Sequence, residues 1–284
     1  MVEFHKIYKP IIAAPFTNDE TYVEVLPCDA LKPYIRCFWG TVNPYLQKKA
    51  DESKPWLVIP DTCMDIMFHV NFTDNRINAK FCGIDDSTFL SHEKIHREAK
   101  ISTFGIRFYA WSVVVFSEES MKDVKNAFFD VGYHFSRLKK EIEPLLFDTT
   151  TMKDRVAVTE RYLQRIIHPE RMNSGVMEAV GEILKNKGNI KMEQLTKDIH
   201  IGSRQLERLF KENVGISPKQ LTNLVRYQYL WNDVLFNNNF NIQDEVYKLG
   251  YTDQAHLSHE FKRFHTMNIT DAKKHAFKDV AFLQ

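Results

Sequence analysis

Apolar positions change rhythm along this chain. As far as about residue 116 they come in short runs between turn residues. Trp56-Leu57-Val58-Ile59 is closed on both sides by Pro55 and Pro60. Met64 to Asn71 partly alternates apolar and polar residues, as a strand with one buried face does. Ile101 to Tyr109 is another run of this kind. Many short strands with turns between them predict a barrel or a sandwich.

After Ser117 the pattern turns helical. Leu138, Ile142 and Leu145 fall on one helical face. Met152, Val156, Thr159, Leu163 and Ile166 form a heptad-like stripe. Two uses fit that stripe: packing on the body of its own domain, or pairing with a second copy in a homodimer. The segment from His168 to Gly175 holds a proline, a glycine and no periodicity, which predicts a linker. The resulting division is a β-rich domain over 1–167 with a helical segment at 121–167, a linker at 168–175 and a second domain at 176–284.

The second domain contains an internal repeat. Leu206-Glu207-Arg208-Leu209-Phe210-Lys211 matches Leu257-Ser258-His259-Glu260-Phe261-Lys262. A short helical segment and a tight turn precede each copy: Met192 to Ile199 before His200-Ile201-Gly202-Ser203, and Gln243 to Lys248 before Leu249-Gly250-Tyr251-Thr252-Asp253. Helix, sharp turn and second helix is the helix-turn-helix plan. Between the copies, Ser217-Pro218-Lys219-Gln220 carries the signals of a helix start. The helix that follows is apolar on more than one side, at Leu224, Tyr227, Leu230, Trp231, Val234 and Leu235, which predicts burial between two bodies. Asn237-Asn238-Asn239 is expected to end it through a left-handed turn. The fold class is therefore α+β. A β-rich domain comes first, then an all-α domain of two helix-turn-helix modules joined by a central helix.

The stretches IGSRQLERLFKENVGISPKQ and LGYTDQAHLSHEFKR, at this spacing, resemble the AraC/XylS family of bacterial transcription regulators over about residues 175–275. The first domain resembles, more faintly, the β-barrel or cupin-like sensor domain of some members, through Pro33 to Trp39, Ile59-Pro60-Asp61 and Phe104 to Phe108. The resemblance implies an effector-responsive, activator-type regulator of duplex DNA, with an unknown small-molecule effector and RNA polymerase as a further partner. Four residues depart from the family pattern. Thr266, Asn268 and Ile269 stand where a Gly and then Ser/Thr-Pro are usual, and Glu245 stands at an apolar position. These departures predict a looser second module.

Recognition helices are expected at 203–213 and 253–264. A recognition helix puts its early residues at base edges in the major groove. With Leu206, Leu209 and Phe210 turned to the core, Ser203, Arg204, Glu207, Arg208 and Lys211 face outward. Arg204 or Arg208 could grip guanine with two hydrogen bonds, and Glu207 could accept from cytosine. The plainer alternative is a solvated charged face with i, i+4 pairs. On the second helix the outward set is Gln254, Ala255, His256, Ser258, His259, Lys262 and Arg263, with the last two expected at phosphates.

Composition changes this picture little. The net charge is +1, so any DNA surface must be a local patch. No apolar run reaches membrane-spanning length, and the start of the chain does not read as a signal peptide. Cys28, Cys37, Cys63 and Cys82 form no C-x-x-C pair and read as reduced thiols of a cytoplasmic protein. His92-Glu93-Lys94-Ile95-His96 matches the H-E-x-x-H zinc-protease signature. That chemistry needs both histidines on one helix and a third ligand; a strand begins by Ile101, and nothing places Glu118, Glu119 or His134 nearby. The motif reads as a surface turn, and His256 with His259 as groove-side residues rather than metal ligands. No cofactor is implied. The alternatives in function are a zinc hydrolase using His92, Glu93 and His96, and a helical interaction module without DNA binding.

Overall fold

The computed structural model describes residues 3–11, 22–47, 56–91 and 98–280. Among the described residues nine strands come first: β1 (Tyr22–Val25), β2 (Ile35–Thr41), β3 (Tyr45–Gln47), β4 (Trp56–Val58), β5 (Cys63–Asn71), β6 (Arg76–Cys82), β7 (Phe89–Ser91), β8 (Ala99–Tyr109) and β9 (Phe128–Asp130). Three helices follow in the same half: α1 (Ser136–Ile142), α2 (Leu145–Asp148) and α3 (Met152–Ile166). Seven helices make the second half: α4 (Ser174–Lys185), α5 (Met192–Asp198), α6 (Ser203–Val214), α7 (Pro218–Phe236), α8 (Ile242–Lys248), α9 (Gln254–His265) and α10 (Ile269–Val280).

The β-rich half is built on a seven-stranded antiparallel sheet in the order β1-β2-β8-β5-β6-β9, with β3 also paired to β8. β4 and β7 form a separate ribbon. The edge strands β1 and β9 do not pair among the described residues, so the closed barrel expected from the strand pattern is an open sheet instead. Alternation sorts its two faces. Phe38, Phe104, Phe68, Ile66, Ile106 and Phe108 fill the apolar face, where Phe38 and Phe68 each stack on Phe104. Phe108 lies parallel to Phe135, and the core runs on through Leu138, Ile142 and Leu163. The other face is polar. Cys37, Arg107, Asp65 and Cys82 align across four strands, and Arg107 holds Asp65 with both Nε and Nη2 at 3.0 and 3.1 Å.

Several sequence expectations are corrected. Residues 121–135 are not helical: they hold β9 and a 3-10 turn at Val131–Tyr133. Leu146, not Leu145, is the buried residue of α2, because the break at Pro144 shifts the helical phase. The stripe on α3 is consumed internally: Met152, Val156, Thr159 and Leu163 are all buried within one chain. These four side chains are taken up by the packing of their own domain, while Ile166 is half-buried. Buried Arg155 on the same helix bonds Ser102 under the sheet and the carbonyls of Leu146 and Thr149. Ser174 and Gly175, placed in the linker by composition, begin α4, with Asn173 as its cap.

The two halves share one apolar core. Phe4 and Tyr8 pack on Trp111, and Tyr8 also meets Tyr229 of α7. Gln228, buried on α7, accepts from the Ile11 amide and donates to the Pro60 carbonyl, both at 2.8 Å. The Met121 amide bonds the Glu212 carbonyl in α6, and the Thr88 amide bonds the Phe264 carbonyl in α9.

Asp61 lies beside this junction, next to Pro60. One carboxylate oxygen accepts from the Cys63 amide at 2.7 Å, and the other has no hydrogen-bond partner. Burial pushes its carboxyl up to about 6, against the pull of Arg107. The unfolded chain thus ionises first as pH rises, and stability falls through the window from the ordinary carboxylate range up to about 6. Asp61→Asn keeps the acceptor for Cys63 and removes the charge. Urea unfolding should find the variant more stable than wild type by up to about 3 kcal/mol near pH 8, and equal near pH 4. An equal loss at both pH values would show that the carboxylate is needed as the partner of Arg107.

Candidate nucleic-acid interface

The two halves of the helical domain are built alike. In the first, α5 ends and His200 takes a left-handed conformation at φ 54° before Gly202 caps α6. In the second, α8 ends and Gly250 takes the same place at φ 67° before Asp253 caps α9. Gly250 has a further reason to be glycine: a Cβ there would lie 2.1 Å from Oδ1 of Asn189. The matching amides of Ile201 and Tyr251 bond back to Thr196 and Val246, closing each turn. Asp253 accepts from the His256 amide at 2.7 Å, so α9 runs Gln254–His265 with residue 253 as its cap.

Helix α7 joins the modules. The Ser217 side chain accepts from the Gln220 amide, and Gln220 reaches back to the Ser217 amide: the expected start signal is formed. Leu224, Tyr227, Leu230, Trp231 and Val234 are all buried. The end differs from expectation, because Asn237 is extended and its side chain instead accepts from the Asn239 amide.

The expected looseness of the second module is not seen. Thr266 closes α9 in the left-handed conformation at φ 63°, as Gly215 closes α6 at φ 82°. Asn268 then caps α10 by accepting from the Asp271 amide. Glu245, buried in place of an apolar residue, is bridged by Lys248, which also bonds Asp233. Arg226 of α7 grips Glu260 of α9 through two bonds at 3.0 and 2.7 Å, and Tyr251 donates to the same carboxylate. His265 lies buried against Trp231 and Phe261 with Nδ1 on the Tyr227 hydroxyl; burial pushes its imidazole down to about 4, so it is neutral at ordinary pH. Polar pairs thus do in this module part of what apolar side chains do in the first.

The outward faces follow. Leu206 and Phe210 are buried, and Leu209 is half-buried. Ser203, Arg204, Glu207, Arg208 and Lys211 are exposed along α6. Arg208 pairs with Glu212 at 3.0 Å, not with Glu207, and both partners are exposed, so the pair gives way readily. On α9, Gln254, Ala255, His256, His259, Lys262 and Arg263 are exposed and Ser258 is half-buried. Gln254 is held by Gln243, and His256 Nδ1 accepts weakly from the Thr252 amide. Arg263 is exposed, and its guanidinium lies over the Phe264 ring.

Elsewhere, His92, Glu93 and His96 lie outside the described residues. Among the described residues no group of three His, Cys, Asp or Glu side chains is placed to hold a metal ion. The four cysteines are free thiols. No helix among the described residues is long and apolar enough to cross a membrane.

Residues 195–275 match a family model described as a helix-turn-helix domain, and residues 23–130 match one described as a domain of unknown function. A lactose operon transcription activator from Staphylococcus xylosus is 28% identical over 105 residues, which are 37% of this chain and 37% of that protein. The match thus spans well under half of that curated relative. Among solved structures, the C-terminal domain of AraT, a response regulator from Geobacillus stearothermophilus, is similar at 20% identity; 37% of this chain and 88% of that one are covered, with a TM-score of 0.35. ToxT from Vibrio cholerae strain SCE256, in a structure with unsaturated fatty acid bound, is similar over 84% of this chain and 95% of that one, at 12% identity and a TM-score of 0.41. Residues 195–275, in the carboxy-terminal part of the chain, form a helix-turn-helix domain.

Two expectations test the second module. Thr266→Gly should stabilise the protein by about 1 kcal/mol, because a β-branched residue is strained in the left-handed region. Glu260→Gln should cost roughly 3 kcal/mol, since Arg226 would lose a buried charge partner. Urea denaturation reads both. A destabilised glycine variant, or a neutral Glu260→Gln, would contradict the account of how α9 is held.

Proposed function

We propose that this protein is a transcription regulator that reads duplex DNA with α6 and α9. The observation that carries the reading is the pair of like modules whose outward helix faces are polar and free of the core, fixed on one buried helix, α7. Arg204 and Arg208 are the base readers of the first module, with Glu207 accepting from a base or orienting an arginine and with Ser203 and Lys211 flanking them. Gln254, His256, Ser258 and His259 face the groove in the second, and Lys262 meets phosphate. Arg263, beside it, meets phosphate as well. That half senses a small-molecule effector, the division between sensing and reading falls at residues 168–173, and the protein works by binding, not catalysis, in the cytoplasm.

Arg208→Ala should cost about 1–3 kcal/mol at a selected site and relax the base preference there. Lys262→Ala should weaken all sequences alike and lower the salt slope by about one phosphate contact. Selection of binding sites from a random duplex pool, followed by titrations with the full chain at two salt concentrations, measures both. Absence of binding at low salt would leave the helical domain as an interaction module.

A further inference from the structure

Both α6 and α9 end against the β-rich half. The last turn of a helix leaves carbonyls without a partner inside it, and they must be satisfied from outside. In α6 one of them belongs to Glu212, which accepts from the Met121 amide at 2.8 Å. In α9 one belongs to Phe264, which accepts from the Thr88 amide at 2.8 Å. The donors come from two loops of the β-rich half, 121–127 and 83–88. Packing adds to the first contact. Met121 and Val124 are fully buried, and a Cβ on Gly215, which closes α6, would lie 2.5 Å from Val124 Cγ2.

The two loops are joined to each other. Gly83 donates to the Ala127 carbonyl and Asn126 to the Ile84 carbonyl, both at 2.9 Å. Their backbones touch so closely that a Cβ on Gly83 would lie 1.6 Å from the Val124 carbonyl oxygen. Side chains fasten the rest. Asn126 accepts from the Asp86 amide at 3.0 Å and donates to the Asp86 carboxylate at 2.8 Å. Lys125 holds the other oxygen of that carboxylate at 2.9 Å. The Asn126 backbone is left-handed, at φ 53°, a conformation asparagine adopts more readily than most residues.

We propose that the paired loops 83–88 and 121–127 position α6 and α9 for DNA, with Asn126 and Asp86 as the residues that fasten them. The step rests on the reading of these helices as recognition helices. They are also related through α7 and through Asn189, whose side chain lies against Gly250 in the turn before α9. That contact acts at the start of α9, and the loop pair acts at its end. A helix fixed at one end can pivot about it; a helix fixed at both cannot. The consequence for DNA is strict spacing. One extra base pair between two half-sites moves the second about 3.4 Å along the duplex and about 34° round it. A pair of helices braced at their ends cannot follow that move.

Two full-length variants test this. Asn126→Gly/Asp86→Ala removes the side-chain ties while glycine keeps the left-handed backbone. Gly83→Ala drives a methyl group between the loops. The first measurement needs no DNA. Hydrogen exchange, read by mass spectrometry from overlapping peptides, should speed up by about fivefold or more at Met121 and Thr88 together, with α7 unchanged. A change at only one of these sites, or at neither in both variants, overturns the proposal. The second measurement uses the duplex selected from the random pool, the same duplex with one base pair inserted between its halves, and a duplex carrying one half. Wild type should bind the lengthened duplex about tenfold more weakly, roughly the cost of one mismatched base pair. The variants should lose about threefold or less to the insertion and bind the single half as wild type does. An insertion penalty unchanged in both variants would assign the spacing to α7 alone and overturn the proposal. So would an equal loss on all three duplexes, which would make the loops a matter of stability. Wild type that binds no duplex sinks the proposed function, and the exchange result then still decides whether the loops hold both helix ends as one.

Discussion

Helix α7 cannot exist alone. It is apolar on nearly every side, with Tyr227, Leu230, Trp231 and Val234 fully buried, so something must cover it all round. α4 and α6 pack on it from the first module, and α9 and α10 from the second. The β-rich half takes a further side through Gln228 and Tyr229. What the proposed reading of DNA requires follows from that burial. Two outward helices are set in fixed relation because both rest on one inward helix.

The two modules satisfy this demand by different means. In the first, Leu206, Phe210 and Val214 provide an apolar seam, and little besides packing is needed. In the second, Glu245 and Glu260 stand buried, and each requires a cation. Arg226 supplies one through a fork that also lies over Tyr251 at 4.4 Å; Lys248 supplies the other. Such pairs seldom add net stability over apolar residues, but breaking one strands a buried charge. They make the seat of α9 specific in geometry, while the seat of α6 is specific in shape.

This difference explains what could be read from the residues beforehand. The repeat, the turn residues and the capping signal at Ser217 are local patterns, and the helices, their order and their outward faces were legible from them. Glu245 was legible only as a departure: Lys248 lies three residues on along the same helix, but Asp233, which shares that lysine, is brought there by folding and not by spacing. Thr266 was misread for a similar reason: preference favours glycine in a left-handed cap, yet the surrounding seat imposes the conformation on threonine. The α3 stripe was ambiguous in principle, since periodicity says that a face is covered but never by what. The open edges of the sheet were hidden too, because alternation gives the faces of strands and not their order.

The ends of α6 and α9 are tied into a wider arrangement. The Met121 amide bonds the Glu212 carbonyl near the end of α6, and a Cβ on Gly215 just beyond would lie 2.5 Å from Val124. The Thr88 amide bonds the Phe264 carbonyl near the end of α9. These contacts come from two loops, 83–88 and 121–127, and the loops are fastened to each other. Gly83 bonds Ala127, Asn126 bonds Ile84 through its amide, and the Asn126 side chain and Lys125 both bond Asp86. Gly83 directly follows Cys82, which stands in the same row across the sheet as Asp65 and Arg107. The polar row of the sheet thus runs through β6 into a pair of loops that are bonded to each other and to the ends of both α6 and α9. The β-rich half therefore meets these two helices through one cross-braced structure rather than through two separate contacts.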